Sequence, residues 1–112
     1  MTSITDEFMR ERLSRAKTYC IMILKAGPNV NTPGADEIIW EHGRRNFMLR
    51  ERGVLPIICP VNDGSDVLGV GIFNASPADV RSTYDDDPGV KAGIFVYEVH
   101  PCRSFPGDSL PN

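Results

Sequence analysis

Apolar and polar positions alternate in period along the chain. In "TDEFMRERLSRA", residues 5–16, Phe8, Met9 and Leu13 recur at helical spacing among charged neighbours. Thr5 offers a cap, and Asp6 and Glu7 suit a first turn, so a short helix is predicted. "TYCIMILKAG" is continuously apolar, rich in strand formers, and stops at Gly27-Pro28, as a buried strand does. After the loop "PNVNTPGA", the stretch "ADEIIWEHGRRNFMLRERG" carries acids early, arginines late and Gly53 as a stop. A helix follows, with Gly43 inside it and a core side of Ile38, His42, Arg45 and Leu49. "VLPIICPV" reads as a proline-interrupted strand near an edge. The turn "NDGSD" joins it to a hairpin partner, "VLGVGIFNA". Ser76, Pro77 and Asp79 open another helix in "SPADVRSTYDDDPGVKAG". "IFVYEVHPC" is the last strand, before an irregular tail rich in Pro and Gly.

Behind the first helix, the order is β-α-β-β-α-β. This is an α+β pattern of the ferredoxin-like kind, with two helices on one face of a single antiparallel sheet. The chain of 112 residues reads as one domain: an extension over 1–16, a core over 17–105 and a tail over 106–112. The pattern leaves the second sheet face bare. A homodimer packed sheet on sheet is the expected cover.

Composition narrows the partners. The net charge is −3, and the cluster Arg44, Arg45, Arg50, Arg52 is interleaved with Glu41 and Glu51, so nucleic acid is not an expected partner. No apolar run reaches the length of a membrane span, and "MTSITDEFMRERLSR" lacks the apolar centre of a secretion signal. Cys20, Cys59 and Cys102 share no close spacing and form no CxxC, so plain thiols and a cytoplasmic location are expected.

The chemistry concentrates in two places. Asp85, Asp86 and Asp87 stand at a helix C-terminus, where the dipole disfavours negative charge. Asp87 precedes Pro88 and is pushed out of the helical region, so it is the one expected to aim elsewhere. His42 lies in line with apolar residues, and a neighbouring carboxylate would fix its tautomer. Tyr19, Arg45 and Tyr84 are candidates to line a substrate pocket. His100 with His42 and Asp87 carries no metal-ligand spacing, so no metal is expected. No nucleotide loop, flavin signature or nucleophile elbow is present, and no cofactor is expected. Trp40 reads as a partly buried anchor.

Two stretches carry a family resemblance. "HGRRNFMLRERGVL", His42 to Leu55, and "DPGVKAGIF", Asp87 to Phe95, together resemble the YCII-related family over about residues 17–105. The resemblance implies a dimeric α+β barrel and an active-site pair carried by His42 and Asp87. It also implies small-molecule chemistry, of which dehydrochlorination is one form. Where family members have Gly-Pro after the second strand, this chain has Cys59-Pro60, which narrows the approach.

The expected function is an acid–base lyase or isomerase for a small organic substrate. His42 would move the proton and Asp87 would orient it. The alternatives are a non-catalytic ligand-binding or accessory dimer, and a purely structural homodimer with a buried His–Asp pair.

Overall fold

The computed structural model describes residues 3–112, so the first two residues of the N-terminal extension lie outside the described residues. The element order is α1 (Asp6–Ser14), β1 (Lys17–Ala26), α2 (Ala35–Glu51), β2 (Ile57–Pro60), β3 (Val67–Phe73), α3 (Pro77–Asp85), α4 (Pro88–Lys91) and β4 (Phe95–Ser104). The protein is an α+β fold with one open, four-stranded sheet in the order β2-β3-β1-β4, and every pairing is antiparallel.

Local chemistry accounts for the helix starts. Thr5 Oγ1 accepts from the Phe8 N–H, and Ser76 Oγ accepts from the Asp79 N–H, so each removes an orphan donor at a helix start. The short α4 was not foreseen as a separate element. Asp86 closes α3, Asp87 is extended at φ −71°, ψ 136°, and Pro88 restarts the helix one step later. The clash that proline imposes on its predecessor explains the break. It also turns Asp87 from the end of one helix into the cap of the next.

Strand alternation sorts the side chains. Cys20, Met22 and Leu24 of β1 pair with Phe73, Gly71 and Gly69 of β3, and all six are buried under the helices. Leu49, Leu55, Val80, Tyr84, Ile94 and Phe95 complete the core. The odd positions of β1, Tyr19, Ile21 and Ile23, face the other side with Ile72 and His100. Among the described residues no helix covers that side.

The apolar stripe of α1 is uncovered: none of its residues is buried, and Phe8, Met9 and Leu13 are 42, 47 and 55% exposed. The molecule is long, 56 × 29 × 22 Å, with a radius of gyration of 16.5 Å. A compact chain of this size has a radius of about 13 Å. One expectation changes: Trp40 is no anchor, being 70% exposed on α2. Among the described residues, no helix is long and apolar enough to cross a membrane.

Candidate active site

The site begins with two glycines. Gly69 and Gly71 occupy helix-facing positions of β3, opposite Leu24 and Met22. Leu55 packs into the space over Gly71, while Gly69 keeps ordinary room beside it. Between the sheet and α2 lies a cavity of about 950 Å³, walled by Met22, Leu24, Leu55, Ile58 and Phe95. A methyl group on Gly71 would come within 2.8 Å of Leu55 Cδ1. His42, Asn46 and Tyr84 supply polar groups to this apolar chamber, and the exposed residues Phe47, Arg50 and Leu110 line its outer part.

His42 and Asp87 meet. His42 Nδ1 lies 2.9 Å from Asp87 Oδ1, with the histidine side chain 8% exposed and the aspartate fully enclosed. The other carboxylate oxygen, Oδ2, accepts from the backbone N–H of Gly89 at 2.9 Å and of Val90 at 3.2 Å. Gly89 must be glycine for the arrangement to close. A Cβ there would stand 2.5 Å from the Phe95 ring. That ring in turn lies against His42, with centroids 4.7 Å apart.

The sequence pattern missed Asn46. Helical spacing pointed to Arg45 as the next inward residue after His42, yet Asn46 is buried on the inner face with Ala35, His42 and Leu49. The signal was present, because residues four apart on a helix share a face. Asn46 Nδ2 lies 3.2 Å from His42 Nε2, and Asn46 Oδ1 accepts from the Tyr84 hydroxyl at 3.0 Å. Burial first, and the Asp87 charge second, push the Tyr84 hydroxyl well above the usual tyrosine range. It therefore remains a donor.

The other candidates are scattered around this centre. Arg45 donates to the Thr83 carbonyl and stands 3.7 Å from Asp87 Oδ1 and 3.8 Å from Asp86 Oδ2. It supports the pair from outside and does not line the cavity. Tyr84 lines the cavity, but its hydroxyl is engaged by Asn46. Tyr19 lies elsewhere. Strand alternation puts it on the open sheet face, where it lines a separate cleft with Ile21, Ile72 and Arg103. His100 is on the same open face, beside Glu98 at 3.1 Å. Among the described residues no cluster fit to hold a metal ion occurs.

The neighbouring acids are not left to solvent alone. Asp85 Oδ1 accepts from the Tyr97 hydroxyl at 2.6 Å. Asp86 is held by Lys91 at 2.8 Å, which lowers its carboxyl below the usual range, and the hydrogen bond to that lysine is the main cause. No protein-family model and no curated protein matches the sequence.

Proposed function

We propose that the chain is a cofactor-independent acid–base enzyme, a lyase or isomerase, for a small organic molecule that fits an apolar chamber. The observation that carries this reading is a buried histidine–aspartate pair whose histidine lines a 950 Å³ cavity. An enclosed carboxylate that orients an imidazole is a general-base arrangement. The cavity is of the size that holds small-molecule ligands, and its few polar groups converge at one end. The substrate class that suits it is a ring-shaped organic acid or phenol, its ring against Phe95, Leu55 and Met22 and its polar edge toward His42. Dehydrochlorination is one form such chemistry takes, since it begins with loss of a proton.

The resemblance to the YCII-related family belongs to the same proposal. The contact between His42 and Asp87 supports it, because these are the two positions that the resemblance singles out. The strand order β2-β3-β1-β4, with the helices on one face, supports a ferredoxin-like arrangement. The bare face, with Tyr19, Ile21, Ile23 and Ile72, supports a homodimer that packs sheet on sheet. The three cysteines, all unpaired, suit a reducing cytoplasm.

One observation favours a second reading. Asn46 already occupies the free nitrogen of His42. In that reading the pair stiffens the wall of a ligand-binding module and transfers no proton. His42→Gln separates the two. In an enzyme it abolishes turnover of a substrate found by screening, at least about a hundredfold. In a binding module there is no turnover to lose, and only affinity or stability falls.

A further inference from the structure

We infer that Asn46, oriented by the Tyr84 hydroxyl, is a positioning residue that holds His42 as the neutral Nδ1–H tautomer with Nε2 as an acceptor. The purpose assigned to this device rests on the acid–base reading above; its geometry does not.

The direction of each hydrogen bond follows from the one before it. Asn46 Oδ1 can only accept, so the Tyr84 hydroxyl, 3.0 Å away, donates to it. That fixes the amide and turns Nδ2 toward His42 Nε2 at 3.2 Å. The amide nitrogen can only donate, so Nε2 presents its lone pair. The ring proton then belongs on Nδ1, which faces Asp87 Oδ1 at 2.9 Å. Asp87 is closed on its far side by the Gly89 and Val90 N–H groups. The result is a single directed chain, Tyr84 to Asn46 to His42 to Asp87. Among the described residues no buried side-chain polar atom lacks a partner.

Charging His42 would set an Nε2–H against the Asn46 N–H. The amide must then turn over, so that Oδ1 accepts from Nε2. Turning it takes the acceptor away from the buried Tyr84 hydroxyl, which resists. The charged and titratable groups around the pair are few. Asp87, at the start of α4, favours the imidazolium. Arg45, on α2, stands 3.7 Å from Asp87 and opposes it. Asp86 and Lys91 pair with each other outside. From α3 comes Tyr84, and from β4 only the Phe95 ring. Asp87 and the Tyr84–Asn46 pair therefore pull in opposite directions. For proton transfer the Asn46 amide must first leave the single Nε2 lone pair; the substrate's bond to hydrogen then breaks, the Nε2–H bond forms, and the electron pair stays on the substrate, whose conjugate base accepts from the new N–H.

The test is long-range ¹H–¹⁵N NMR of the imidazole nitrogens in the whole protein, with a His100→Gln variant to assign the His42 signals. The wild type is expected to show a protonated Nδ1 and an unprotonated Nε2 while the ring is neutral. In Tyr84→Phe the amide turns freely, and the ratio of imidazolium to neutral His42 at a fixed pH rises roughly fivefold. An Nε2–H tautomer in the wild type overturns the inference, and so does an unchanged ratio in Tyr84→Phe. Should Tyr84→Phe fail to fold, Asn46→Ala replaces it: without the amide donor the ratio of imidazolium to neutral His42 at a fixed pH is expected to rise, and an unchanged ratio would overturn the inference. None of these readouts needs a substrate, so loss of the acid–base reading and loss of this one are told apart.

Discussion

Asp87 is the aspartate of the three that the fold removes from water, and it does two jobs with its two oxygens. Oδ2 caps the turn that Pro88 begins, and Oδ1 holds His42. Asp87→Ala leaves two orphan N–H groups and an unpartnered imidazole nitrogen in a buried place. It is expected to cost about 3–5 kcal/mol, the range for removing one member of a buried pair, measured by urea denaturation. Gly89→Ala acts on the same turn by crowding. Its Cβ meets Phe95, an aromatic ring already packed on His42, and a loss of about 1–3 kcal/mol is expected in the same melts. The two positions stood out in the sequence for physical reasons, since a residue before proline leaves the helix and His42 lies in an apolar stripe, but their pairing was carried by the family resemblance and was only allowed by the geometry of the expected fold. Asn46 was not legible, because one step along a helix turns a side chain by about 100°. The choice between Arg45 and Asn46 thus depends on where the helix sits on the sheet. Tyr19 failed by the simpler rule of strand alternation, since the neighbouring Cys20 points to the helices.

Elements carry the cavity. Two glycines at alternate positions of β3 subtract side chains from one face only; Leu55 fills the space over Gly71, and Gly69 borders the cavity. Gly69→Val tests its use. The new Cβ itself has ordinary room, 3.5 Å from the Cys59 carbonyl oxygen, while the branches enter the cavity. Binding of a screened ligand is expected to weaken at least about tenfold in calorimetric titration while the melting temperature holds. The end of α3 is tied down by the Tyr97 hydroxyl on Asp85 and by Tyr84 on Asn46. Burial, and then the Asp85 hydrogen bond, lift Tyr97 to about 12, and Tyr84 is lifted further. Raised tyrosines favour the folded state below the unfolded phenol value of about 10 and lose that contribution as pH climbs toward the folded values. Stability in urea is therefore expected to fall as pH rises above about 10, and to fall less steeply in a Tyr84→Phe, Tyr97→Phe double variant. The stripe of α1 was legible as an apolar helix face, and in the fold none of its residues is buried. Periodicity shows that a face is apolar; it does not show whether this chain or another covers it.

At the scale of the whole molecule, the sequence pattern gave the order of strands and helices, and with it the bare face. It could not give the long shape of 56 × 29 × 22 Å, nor that every residue of α1 is unburied. A nine-residue helix is too short to persist on its capping alone. Under the homodimer reading, sedimentation is expected to show a dimer. Ile21→Lys with Ile72→Glu, on the open face, is expected to yield monomers that keep the His42–Asp87 contact. The central claim, however, is that this contact moves protons for a ligand in the cavity. The most direct measurement follows, by NMR in deuterated water, the exchange of acidic hydrogens in a panel of small ring acids, phenols and cyclic ketones. The account predicts exchange in at least one compound with the wild type, reduced at least about a hundredfold in both His42→Gln and Asp87→Asn. Exchange that survives in these two folded variants, or none anywhere in the panel, would contradict it.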